Sequence, residues 1–255
     1  MLSTNKQPYL LTICSGKGGV GKSVIASNIA YQLAADYEKV LVIDADLMFP
    51  NQHIMFGVEP NLRLDDWFFE RATIDRVIYE ISENLAILAG AVGSNNLELQ
   101  NNFSFIDLYH SILTETNYDF IIVDTNAGIT NCLLEAASIA DKIGIVVTDE
   151  PTSLVDAYGI MKILKEYADS RKINLILNNI IDEEDANEIS QKFNQISQHF
   201  LEISIDVLGT VFYSKEMKRT IIAQELLSIL YPDSTATKTI KQMAKKIIDI
   251  NSRYG

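Results

Sequence analysis

Ser15-Gly16-Lys17-Gly18-Gly19-Val20-Gly21-Lys22-Ser23 is the stretch on which the reading of this chain turns. It follows an apolar run, Tyr9 to Cys14, in which Leu10, Leu11 and Ile13 read as a buried strand. It precedes Ser23 to Ala35, where Ile25, Ile29 and Leu33 fall on one helical face. A strand, a glycine loop and a helix in that order make an anion cradle. The glycines let successive backbone N–H groups turn inward, and the helix N-terminus adds a partial positive charge. Gly16, Gly21, Lys22 and Ser23 satisfy the pattern G-x-x-x-x-G-K-[ST], which places Lys22 to reach terminal phosphates and Ser23 to reach magnesium. The candidates for nucleotide contact are thus Gly16, Lys17, Gly18, Gly19, Val20, Gly21, Lys22, Ser23 and Val24, with ATP or ADP and Mg2+ as the implied cofactors.

The totals set bounds on what such a loop can belong to. The chain has 255 residues, 47% hydrophobic and 22% charged, an ordinary globular composition. A single domain of that size buries about three quarters of its unfolded surface. Formal net charge is −13, which argues against broad affinity for nucleic acid, because that affinity rests on cations displacing counterions. Cys14 and Cys132 form no metal-ligand spacing and no disulfide framework, as suits a reducing cytoplasm. The opening MLSTNKQPYLL lacks a leader pattern, and no apolar run is long enough to span a bilayer.

Outward from the loop, apolar runs alternate with helical patterns. Val40 to Ile43, Leu85 to Ala89, Phe120 to Val123, Ile143 to Val147, Leu175 to Leu177 and Val207 to Gly209 read as strands, several ending in polar residues. Leu64 to Phe69, Ile74 to Ile81, Phe103 to Thr116, a segment starting at Pro151, Glu183 to Phe200 and Ser234 to Asn251 read as helices. Trp67-Phe68-Phe69 reads as core. Gly93 to Asn102, rich in asparagine, reads as a surface loop. The alternation predicts one α/β domain over 1–255, a doubly wound and mostly parallel sheet with helices on both faces. The last helix carries Ile240, Met243, Ile247 and Ile248 on one face with lysines beside it. Covering a sheet face is the favoured reading, and lying on a membrane surface is the other.

Asp124, after the strand Phe120 to Val123, suits a carboxylate holding a magnesium-bound water, with Gly128 letting the backbone approach a γ-phosphate. Asp46, after Val40 to Ile43, suits the orientation of an attacking water, and with Ser23 and Asp124 makes up the candidate magnesium side of the site. Asp44 reads better as a structural carboxylate bonded to loop N–H groups. Asn178 either reads an adenine edge, having both a donor and an acceptor, or closes a plain strand-end turn. His53, His110 and His199 make no metal pattern.

GKGGVGKS, with Lys17 beside Gly16, resembles the deviant Walker A loop of the MinD/ParA class of ATPases. Asp44-Ala-Asp-Leu47, Asp124-Thr-Asn-Ala-Gly-Ile-Thr130, Val147-Thr-Asp-Glu-Pro-Thr-Ser-Leu-Val-Asp-Ala-Tyr158, Leu177-Asn-Asn-Ile180 and Leu230-Tyr-Pro-Asp-Ser234 extend that likeness along nearly the whole chain. They resemble the flagellar-number regulators FlhG, also called FleN or YlxH. The resemblance implies slow, partner-stimulated ATP hydrolysis by an ATP-dependent homodimer. Lys17 would touch the partner's nucleotide, Asp46 would lie in switch I, Asp124 would begin switch II and Asn178 would contact the base. It implies a partner in flagellar or polar machinery, and a place in the cytoplasm or at the inner face of the membrane or pole. The chain departs from the family at Leu47 to Asn51, where relatives have Gly-Leu-Ala or similar. No DQ-type N-terminal motif and no separate C-terminal membrane helix are expected. A ParA-like partition ATPase, or a metabolic enzyme on the same loop such as an iron-protein or ligase relative, is the alternative.

Overall fold

The computed structural model describes residues 7–36, 38–91 and 96–254. The apolar runs become strands β1 Tyr9–Ser15, β2 Val40–Ala45, β3 Ile78–Ser82, β4 Leu85–Leu88, β5 Phe120–Ala127, β6 Lys142–Val147, β7 Ile173–Ile180 and β8 Asp206–Phe212. They form one eight-stranded sheet in the order β3-β4-β2-β5-β1-β6-β7-β8. Every pairing is parallel except β3 with β4. Strands covered on both faces have no reason to alternate, and β1 and β2 are buried at every position.

Two cores fill the two faces. On one lie α1 Lys22–Ala35, α11 Leu227–Leu230 and α12 Thr235–Tyr254, with α2 Gln52–Met55 and α10 Lys215–Ala223 near the strand ends. Ile25, Ile29 and Leu33 of α1 pack here with Ile240, Met243 and Ile247 of α12. The apolar face of the last helix therefore covers the sheet. The other face holds α3 Leu64–Phe68, α4 Ile74–Val77, α5 Asn96–Asn102, α6 Phe105–Glu115, α7 Asn131–Ile139, α8 Pro151–Leu164 and α9 Glu183–Leu201. Trp67 and Phe68 pack against this core, and Phe69 meets Phe68 edge-on at 4.9 Å.

Two expectations give way. The helix expected over Ile74 to Ile81 stops at Val77, and the chain continues as the antiparallel edge strand β3, with Ile78 opposite Leu88 and Tyr79 opposite Ile87. Ile78 and Tyr79 favour a pleated surface, and the pairing with β4 wins over a helical period only a turn long. Of the expected loop Gly93 to Asn102, residues 93–95 lie outside the described residues and Asn96–Asn102 form α5. Its Leu99 is fully buried, so one anchor in the core overrides a polar local composition.

The phosphate loop sits at the C-terminal end of β1, between β5 and β6. The connection through α1 runs to one side of β1, to β2, while the connection from β5 through α7 crosses to β6 on the other. Crevices open at the carboxyl ends of strands where the winding reverses in this way.

Candidate nucleotide-binding site

Two glycines show why the loop has its shape. At Gly16 an added Cβ would lie 2.4 Å from the carbonyl carbon of Asp156, so α8 closes on the loop only where no side chain intervenes. At Gly21, φ is +92°, and an added Cβ would lie 2.3 Å from Asn178 Nδ2. That amide donates to the Val20 carbonyl at 2.8 Å, so the end of β7 braces the loop from behind. Lys22 opens α1 and is largely buried, with Ser23 and Val24 following in the first turn. Gly18 and Gly19 form the outer rim, and Gly19 also has a positive φ.

Behind the loop, β2 and β5 run side by side with Asp44 opposite Asp124. Asp44 Oδ2 accepts the N–H groups of Asn51 and Gln52, each at 2.8 Å, and Oδ1 accepts that of Asp46 at 3.3 Å. It is the structural carboxylate that its position suggested, and it fixes the turn that presents Gln52. Gln52 Nε2 then donates to Asp124 Oδ2 at 2.9 Å and to the Ser23 carbonyl at 3.1 Å. Asp124 Oδ1 is buried and has no hydrogen-bond partner among the described residues. Burial raises the Asp124 carboxyl above its ordinary range, while the Lys22 charge, the nearby Ser23 hydroxyl and the Gln52 hydrogen bond pull it back. Burial and the neighbouring Asp124 raise Asp44 further. A buried carboxylate with an idle oxygen, beside a cation, a hydroxyl and a glycine cradle, suits a magnesium ion shared with phosphates.

Asp46 Oδ1 accepts from the N–H groups of Met48 and Phe49 and from Asn126 Nδ2 at 2.8 Å. Its Oδ2 takes no bond among the described residues. The ends of β2 and β5 are thereby tied, and Met48 and Phe49 stand largely exposed. Gly128 has φ +80° with open space where a Cβ would go, and its N–H donates to the Ser15 carbonyl at 2.9 Å. Lys17 pairs with Glu150 and lies 3.3 Å from Thr152 Oγ1, both of its own subunit.

Sequence reasoning passed over Gln52, Asn126 and the role of Glu150. Gln52 sits in a turn-rich segment that no period marks, and Asn126 and Glu150 lie within quoted motifs but carry no motif role of their own. Cys14 is wholly buried in β1 and Cys132 nearly so, with both thiols pushed up to about 12 by burial. An apolar groove of 610 Å³ runs between α8 and α9, but it lacks the phosphate loop's residues.

Residues 11–227 match the family described as the CobQ/CobB/MinD/ParA nucleotide binding domain. The chain is 26% identical to antiactivator FleN of Pseudomonas aeruginosa, over 93% of this chain and 85% of that protein. It is 28% identical to the flagellum site-determining protein YlxH of Helicobacter pylori, over 93% and 81%. Its fold is that of the septum site-determining protein MinD from Pyrococcus horikoshii, solved with Mg-ADP, at TM-score 0.80 and 22% identity over 97% of this chain and 99% of that one.

Proposed function

The chain belongs to the CobQ/CobB/MinD/ParA nucleotide-binding family, and on that premise we propose that it is an ATP-driven dimerising switch that hydrolyses ATP to ADP and sets the placement or number of a cell-surface machine. The observation that carries this reading is the buried Asp124 carboxylate with an unpartnered oxygen, held beside Ser23 and Lys22 at the mouth of the glycine cradle. Lys22 and the loop N–H groups would bind the phosphates, and Ser23 and Asp124 would hold a magnesium ion, which would neutralise developing phosphate charge. The free Oδ2 of Asp46 accepts a hydrogen from the attacking water. Its Oδ1 is held by the N–H groups of Met48 and Phe49 and by Asn126, which fixes the carboxylate so that Oδ2 would face that water or a magnesium-bound one.

Asn178 is expected to serve base and loop together, its amide fixing Val20 while its carbonyl oxygen stays available to an adenine amino group. Release of the Gly128 N–H from the Ser15 carbonyl would free it for a γ-phosphate and so couple the nucleotide to the end of β5. The similarity to FleN and YlxH supports a flagellar or polar protein partner, with a site of action in the cytoplasm or at the inner face of the membrane or pole. No helix among the described residues is long and apolar enough to cross a membrane, and the buried face of α12 makes membrane attachment the less favoured reading.

Calorimetry with ATP and magnesium, paired with phosphate release, tests the site. Lys22→Ala should abolish binding, because the β/γ-phosphates lose their main protein cation. Near-normal affinity in that variant rejects the assignment.

A further inference from the structure

At the opposite end of β1 from the phosphate loop, where β1, β6 and β7 begin, lies a second cleft. It measures 690 Å³ and is lined by Tyr9, Asp141, Lys142, Arg171 and Lys172, with Ile250 of α12 along one side. That size falls in the range of small-molecule sites, about 300–1,000 Å³.

Tyr9 is its most informative residue. Only 6% of it is exposed, and its ring is pinned by Phe120 with centroids 5.7 Å apart. Its phenol oxygen is buried and has no hydrogen-bond partner among the described residues. Burial first, and then Asp141, raise its pKa, so it remains a neutral O–H donor. A buried hydroxyl left idle is uncommon in native proteins unless something from outside completes it. The charges around it lean one way. Lys142, Arg171 and Lys172 line it with Asp141 and Asp169, and Asp206 and Lys246 act on Lys142 from beside it, four cations to three carboxylates in a chain whose net charge is −13. Asp141 Oδ2 accepts the Leu10 N–H at 2.8 Å, and Arg171 Nε donates to both oxygens of Asp169, at 2.9 and 3.0 Å, with Nη2 also on Oδ2. Lys142 has one neutral partner, the Asn174 side-chain oxygen, and Lys172 donates to the Ala140 carbonyl at 2.7 Å.

We propose that this cleft binds a small molecule bearing a carboxylate or phosphate group, with the Tyr9 hydroxyl and the Lys142 ammonium as its oxyanion contacts and Ile250 against its body. The site is separate from the nucleotide loop, although the two are joined by structure. β1 runs from Tyr9 to the loop, and β6 runs from Lys142 toward Glu150, the partner of Lys17. The proposal does not depend on the switch reading.

The test titrates inorganic phosphate and, separately, succinate into the full chain saturated with Mg-ADP, so that the phosphate loop is already filled. Binding is followed by calorimetry and by NMR shifts. At least one anion should bind, and which one does separates a phosphate from a carboxylate ligand. Tyr9→Phe and Lys142→Gln should each weaken it by about fivefold, the worth of one hydrogen bond. Tyr9→Phe should also be as stable as the parent without anion, because the hydroxyl it removes had no partner. Failure of both anions to bind overturns the proposal, as does binding insensitive to both substitutions. A clear loss of stability in Tyr9→Phe overturns it too, since that gives the hydroxyl a structural partner.

Discussion

Lys17 and Glu150 of the same subunit are paired, so that the phosphate loop is tied to the residue that caps α8. If Lys17 serves a partner's nucleotide, its own Glu150 competes for it. Both side chains are well exposed, 39% and 58%, and such pairs are worth about 0–1 kcal/mol. Release is therefore cheap. Glu150→Gln should leave ATP affinity unchanged and lower the protein concentration needed for ATP-dependent dimers, by up to about fivefold. Sedimentation at several concentrations reads this directly. A higher required concentration would mean that Glu150 positions Lys17 rather than restraining it.

Gly16 and Gly18 should differ sharply in their tolerance of the same substitution. Gly16→Ala drives a methyl into the backbone of Asp156, and overpacking of this kind costs about 1–3 kcal/mol. At Gly18 an added Cβ meets nothing within 4 Å. Thermal unfolding should show a clearly lowered midpoint for Gly16→Ala and little change for Gly18→Ala. Equal tolerance of both would contradict the close approach of α8 to the loop.

Asp124 makes stability depend on pH with a definite sign. Its folded carboxyl lies above the ordinary value of 3.8, so the fold favours the protonated form. That contribution is fully present below the ordinary value and is lost as pH rises through the raised one. Without nucleotide, stability should fall as pH climbs through this acid window. Asp124→Asn should reduce that fall, leaving the share that the raised Asp44 contributes, and raise apo stability near neutral pH by about 1 kcal/mol, while losing magnesium-dependent ATP binding. Urea midpoints at acid and neutral pH check it. A less stable Asp124→Asn protein would show that the carboxylate is compensated without a ligand.

The sheet was legible because its strands are continuous apolar runs, and the loop because the four pattern residues Gly16, Gly21, Lys22 and Ser23 constrain it together. Asp44 was legible as structural from its place beside a turn that needed N–H acceptors. What escaped depends on contacts distant in sequence. Gln52 reaches Asp124 across 72 positions and Lys17 reaches Glu150 across 133, and no local period encodes either. The strand β3 escaped for a related reason, since its register with β4 decides between two weak local preferences.

The central claim is that nucleotide binding and turnover drive a dimer switch, and it divides cleanly between Lys17 and Asp46. Two polyanionic nucleotides facing each other repel, and a lysine from each subunit offsets part of that while adding charge-assisted hydrogen bonds. Lys17→Ala should thus bind ATP in its own subunit yet stay monomeric. Asp46→Ala keeps the phosphate contacts but loses the water-orienting oxygen, so ATP persists and the dimer accumulates. The decisive measurement is light scattering of both variants with ATP and magnesium. The account predicts a monomer for Lys17→Ala and a stable dimer for Asp46→Ala. Two monomers, or a Lys17→Ala protein that dimerises like the parent, would contradict it.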